Sequence, residues 1–543
     1  MSGKVPYQHL NVFLVKDEYK ALPLHKFLKA NANFNTYELK QSLDISGKFF
    51  VREQSDSKPK WTKFAESLTG TTIEELYNRT SSAVLVVKST NATMAFTFGY
   101  GRHMLDTSYF VSDFGIKTAL NTLNHDSLRS VDLITLDDQA VQKKAQAARE
   151  TGVEVFGIDI SKDLLRGVTG SPKGGVGLFN ISGCGTTFSF GKSVKVEDIP
   201  DLVDVIFDHY KSDAYQASFS WVDNIRRLQE PADIQPLDDK LLSEINNNSS
   251  NVIITIPEMM DWDQVFGFSF TRSKSNIKPT IESHEYYANL DLSSLSVDAL
   301  KRDKLFVFDQ QLEETEFKVY NCMYFEIKEN SKTYILFSGD WYEIESSFIS
   351  IIDGILAKIK PCALSFPEVF TWTGTDSKNR VVEKIESEGD YNERAAQLNG
   401  YYVLDKKLVK SDRTTTSIEL CDLLTPSNQF IHVKHRKGGS AGLSHLFAQG
   451  NVSAEIMLGD RNFRKQARKV LRSVSSAVAD TVPLDNIQSS NMEIVFLVLG
   501  EDSSTLKDNL PFFSKVNLTK TYENLSQRGF KVSIAGVGKV TKP

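Results

Sequence analysis

The sequence predicts an α/β protein of α+β type built from several domains, and three observations carry that expectation. Its 543 residues exceed the usual length of one domain several times over, so more than one hydrophobic core is required. Its composition, 41% hydrophobic and 24% charged, is that of ordinary globular protein and leaves no long stretch too polar to fold. Short runs with strand alternation are interleaved with amphipathic helical stretches along the whole chain.

The first 235 residues are expected to form one sensing or regulatory region. Asn11 to Val15, Phe49 to Arg52, Ala83 to Val87 and Met94 to Phe98 read as strands, and Thr62 to Leu68 reads as an amphipathic helix. Asp113 opens a second helical run to Asn121, and Ile199 to Tyr210 forms a third with Pro200 in its first turn. The glycine-rich phrases Gly99-Tyr-Gly-Arg-His103 and Gly170 to Gly185 match neither a P-loop nor a dinucleotide fingerprint. They read as turns, with Arg102 and His103 as candidate recognition residues.

Asp233 to Asn251, with Pro236, Asp238, Asp239 and three asparagines at 246–248, reads as a domain connection. A middle α+β domain over 236–375 then carries strands at Val252 to Ile256, Lys304 to Phe308, Cys322 to Ile327 and Thr333 to Phe337, and a helix at Ser346 to Ile359. Pro361, Pro367 and the polar stretch Thr373 to Lys378 mark the last boundary, leaving 376–543 as the C-terminal domain.

Composition also narrows function. No stretch approaches the about 20 apolar residues needed to cross a bilayer, and the opening MSGKVPYQHL lacks the apolar centre of a secretory signal, so a cytoplasmic location without membrane partners is expected. Cys184, Cys322, Cys362 and Cys421 show no zinc-ligand spacing and are expected as reduced thiols. A net charge of −6 gives no global attraction to nucleic acid, so any polyanion site must be a local basic patch.

The C-terminal domain supplies both acids and such patches. Alternation in Phe430-Ile-His-Val-Lys434 places His432 and Lys434 on one strand face. Glu419 and Asp422 precede that strand, Asp405 lies on the strand before them, and Glu393 lies on the helix Tyr391 to Leu398. Hard carboxylate oxygens for Mg²⁺ or Mn²⁺, with a lysine beside the scissile phosphate, are what metal-dependent phosphodiester cleavage needs. The basic turn His435-Arg436-Lys437 to Ser440 is a candidate phosphate contact, followed by a helix presenting Ser444, His445 and Gln449. Arg461, Arg464, Lys465, Arg468, Lys469 and Arg472 recur at helical spacing and form a candidate nucleic-acid-binding stripe. The same residues also read as an ordinary β-meander with solvated acids and a solvated basic helix face.

The segment Tyr391 to Arg472 resembles the PD-(D/E)xK, restriction-endonuclease-like nucleases, in which a helix acid, an aspartate and an acid-x-lysine strand build the site. The resemblance implies a mixed sheet flanked by helices, Asp405, Glu419, Asp422 and Glu393 as metal ligands, and Lys434 as catalytic with His432 at the usual acid position. Gln449 resembles the helix glutamine of RecB-like members. The phrases Phe96 to Arg102, Asp113 to Asn121, Asp163 to Gly170, Leu443 to Gly450 and Pro511 to Ser514 resemble a sporadically distributed bacterial family of unassigned activity linked to anti-phage defence. Together these resemblances imply a metal-dependent defence nuclease answering to a phage-derived trigger or partner protein. The alternative is a non-catalytic component that binds nucleic acid or a phage protein.

Overall fold

The computed structural model describes the chain apart from residues 1–6, 53–55, 57, 60, 76, 78–79, 136–140, 258–259, 261–264, 282, 289, 291, 311, 331, 376–380, 412–416 and 437–440. The architecture is mixed α/β with several sheets, and the chain divides into two compact units, Met1–Thr135 with Gln142–Val222 and Leu136–Val141 with Asp223–Pro543. The expected connection at 233–251 is instead largely a helix, Pro231–Asn246, because Leu237, Leu241 and Ile245 recur at a four-residue interval and bury together. Asp238, read as a linker acid, is buried and accepts from Tyr320 Oη at 2.7 Å and Trp341 Nε1 at 2.9 Å.

The first unit is built on a ten-stranded sheet, in which Tyr7–Leu14 lies between Thr93–Gly99 and Thr187–Ser193, antiparallel to both. The helix Phe114–Thr122 packs against this sheet, and the helix Ile199–Lys211 packs against that helix, closing a core of Phe96, Phe114, Phe188, Phe190, Leu202 and Ile206. Gly99 adopts φ +56° at the end of its strand, where an L side chain would be strained. The Gly99-Tyr-Gly phrase is therefore a turn. Arg102 and His103 follow it, exposed on a short 3₁₀ turn, Gly101–Met104, with the His103 ring stacked on Tyr100.

In the second unit a five-stranded antiparallel sheet, in the order Ile225–Arg227, Asp340–Ile344, Lys332–Phe337, Met323–Glu329 and Ile253–Ile254, forms one layer. A six-stranded sheet carries the candidate site. Its order is Tyr402–Val403, Leu423–Leu424, Gln429–His435, Glu493–Leu499, Lys531–Val537 and Lys360–Pro361. The first two pairings are antiparallel and the last three parallel. Alternation sorts the central strands onto two cores. Phe430, Ile494, Phe496 and Val498 face the helices Ala441–Gly459 and Phe512–Gln527, while Ile431, Val433, Val495 and Leu497 face the helix Glu388–Asn399.

Candidate active site

Asp422 stands just ahead of Leu423–Leu424, and its Oδ2 accepts the Val433 N–H at 2.8 Å, extending the pairing to the next strand beyond the end of its own. The helix Glu388–Asn399 begins at Ser387, whose hydroxyl accepts the Asp390 N–H. That start puts Glu388 in the first turn, where Oε2 accepts from Lys434 Nζ at 2.9 Å and Oε1 accepts the His435 N–H at 3.1 Å. Lys406 holds a left-handed φ of 60° at the turn after Asp405, and its N–H donates to Glu419 Oε1 at 2.8 Å. The Asp405 N–H donates to the Asp422 carbonyl at 3.1 Å.

These contacts bring Glu388, Asp405, Glu419 and Asp422 to the end of the Lys434 strand. Burial, together with repulsion from Glu419, Asp405 and Glu388, raises Asp422 to about 7, against partial relief from the Val433 N–H. Burial also works against the Glu388 carboxylate, but the His435 N–H and Lys434 outweigh it and hold its pKa below the usual range. Asp422 is therefore poised to exchange a proton near neutral pH, while Glu388 stays charged and holds Lys434.

Other expected residues are placed differently. Glu393 is exposed farther along the helix, and the helix acid that joins the group is Glu388, which the sequence reading missed. The signal was present in Ser387-x-x-Asp390, which fixes the helix start and hence the first-turn position of Glu388. His432 shares its face with Lys434 as the alternation requires, but it is 2% exposed, and burial lowers its pKa to about 4. The reason is Gly450 of the covering helix. A Cβ there would lie 3.3 Å from His432 Cδ2 and 2.5 Å from Phe496 Cε1, so the helix seats directly on the imidazole. Lys434, two residues on, keeps a third of its side chain exposed. His432 is thus a core residue, not an open ligand at the acid position.

Gln449 is half-buried beside Gly450, and its side chain makes no hydrogen bond among the described residues. His435 is buried and anchors the strand end, its Nε2 2.7 Å from the Glu386 carbonyl oxygen. Arg436 reaches toward the Asn509 carbonyl at 3.4 Å, whereas Lys437 and Ser440 lie outside the described residues.

The basic stripe on Arg461–Val474 is largely turned to the protein itself. Arg464 is buried and donates to the carbonyls of Met457, Leu458 and Leu484 at 2.8 to 3.0 Å. Arg468 binds the Val482 carbonyl and Asp480, and Arg461 makes a two-pronged pair with Asp485. Lys465, Lys469 and Arg472 remain exposed. A continuous phosphate-binding stripe is not what this helix presents.

The acids match Mg²⁺ or Mn²⁺ in kind, being hard oxygen donors whose mutual repulsion a cation would relieve. They do not match it in their present placement. Among the described residues no three His, Cys, Asp or Glu side chains are arranged to hold a metal ion, and Glu388, Glu419 and Asp422 are engaged by protein donors.

Among the described residues, no helix is long and apolar enough to cross a membrane. No curated protein and no solved structure matches the chain. Residues 10–538 match a family described as "Family of unknown function (DUF6119)". With nearly its whole length matched, the chain belongs to the DUF6119 family.

Proposed function

We propose that the second unit hydrolyses phosphodiester bonds in nucleic acid with the help of Mg²⁺ or Mn²⁺. The observation that carries this reading is the gathering of Glu388, Asp405, Glu419 and Asp422 at the end of the Lys434 strand, with Asp422 raised to about 7. A mixed sheet flanked by helices, in which the helix Glu388–Asn399 is followed by three strands of that sheet, two helices and a further strand, supports a restriction-endonuclease-like assignment. His432 departs from that pattern.

In this reading Lys434 Nζ holds a non-bridging phosphate oxygen and offsets the charge that develops on it. Glu388 positions Lys434, and Asp422 holds or takes a proton at its carboxyl group. Asp405, Glu419 and Asp422 carry the hard oxygens a divalent ion takes, but their present placement does not hold one, so the Mg²⁺ or Mn²⁺ requirement rests on the sequence reading alone. A purely binding role is less favoured, because Arg464 and Arg468 are spent on the protein's own carbonyls. The anti-phage setting, a phage-derived trigger and a cytoplasmic location rest on the sequence reading. The test is incubation of the full chain with plasmid, linear DNA and tRNA in Mg²⁺, Mn²⁺ or EDTA. Divalent-dependent cleavage of at least one substrate is expected, and no cleavage of any would defeat the reading.

A further inference from the structure

A cavity of about 500 Å³ lies in the first unit, between the segment 21–25 and one face of the sheet edge formed by Phe34–Glu38, Ser46–Arg52 and Ser82–Lys88. Alternation puts Phe34, Thr36, Lys48, Phe50 and Lys88 on that face. The walls are apolar, with Leu22 and Leu24 across from Phe34 and Phe50, whose rings meet edge to face at 5.3 Å between centroids. Three basic side chains, His25, Lys48 and Lys88, line the same space, and no acid does.

Glu38 is the nearest acid on the same sheet face, and it is paired with Lys48. The side chains of His25 and Lys88 have no ion-pair or hydrogen-bond partner among the described residues, and Lys88 is half-buried. On a chain of net charge −6, an apolar cavity lined only by bases has a definite chemical complement. That complement is a small anion with an apolar body.

We propose that this cavity binds a mononucleotide, the base packed against Phe34 and Leu24 and the phosphate held by Lys48, Lys88 and His25. The aromatic walls suit a planar ring, Thr36 offers a hydroxyl at the same face, and the volume lies within the range of small-molecule sites. The site belongs to the first unit and stands independently of the proposed cleavage chemistry.

Calorimetric titration of the full chain with AMP, GMP, CMP and UMP tests it, with adenosine, inorganic phosphate and decyl phosphate as partial probes. At least one mononucleotide should bind at one per chain, while adenosine and phosphate alone bind at least tenfold more weakly. Lys88→Ala and Lys48→Ala, both at partly exposed positions, should each weaken binding about tenfold without lowering the melting temperature, and Lys434→Ala should leave it unchanged. Absence of nucleotide binding at 1 mM, binding indifferent to Lys88, binding lost in Lys434→Ala, or binding of decyl phosphate in preference to every nucleotide would each overturn the assignment.

Discussion

Asp422 and His432 titrate in opposite senses, and the fold should reveal both. Asp422 is raised to about 7 in the fold, above its unfolded value near 4, so the folded state holds the extra proton between those limits. Its stabilising contribution is complete below about pH 4 and lost as pH rises through 7. His432 is lowered to about 4, so the unfolded state binds the extra proton, and stability is lost as pH falls from about 6.5 toward 4. Asp422→Asn keeps an oxygen for the Val433 N–H and removes only the first slope. It should match the wild type near pH 4 and exceed it by ~4 kcal/mol at pH 8, as read by urea denaturation. His432→Glu, attractive from the sequence as a restored metal ligand, instead buries a carboxylate against Phe496 under Gly450 and should cost ~3 kcal/mol. A His432→Glu variant with unchanged urea midpoint would show that the position is open after all.

At the scale of elements, the helix Arg461–Val474 separates what spacing can and cannot tell. Its basic residues do recur at helical intervals, but spacing alone does not reveal that Asp480, Val482 and Leu484 fold back beside them. Arg464→Ala would strip donors from three carbonyls and should destabilise the protein by about 2–4 kcal/mol, whereas Lys469→Ala should stay within about 0.5 kcal/mol. Equal thermal midpoints for the two variants would contradict that division of roles. The strand Gln429–His435 was legible for the opposite reason. Its buried faces impose a two-residue period, so the orientation of His432 and Lys434 followed directly from Phe430-Ile-His-Val-Lys434. What alternation could not give was the depth of each residue under the covering helix.

At the scale of the molecule, the sequence conveyed the α/β class, the site strand and three of the four gathered acids, because each depends on local pattern. The helix at the expected connection was not legible. Pro236 and the asparagine run suggested a linker, but the helix Pro231–Asn246 tolerates that proline, and the asparagines fall at its end, where Asn248 takes a left-handed φ of 50°. Glu388 was missed because its partner Lys434 is 46 residues away, and only the folded sheet brings the helix start to the strand end.

The central claim is that Glu388, Asp422 and Lys434, drawn from separate elements, act as one catalytic group. Single-turnover cleavage rates of the wild type, Lys434→Ala and Asp422→Asn, on whichever nucleic acid the wild type cuts and at matched folded fractions, test it most directly. Lys434 is partly exposed, so its ion pair with Glu388 should contribute no more than about 1 kcal/mol to stability, and its removal should leave a folded protein. The account predicts that each variant loses about 10²-fold or more in rate with the fold intact. Wild-type rates in a folded Lys434→Ala or Asp422→Asn protein would contradict it.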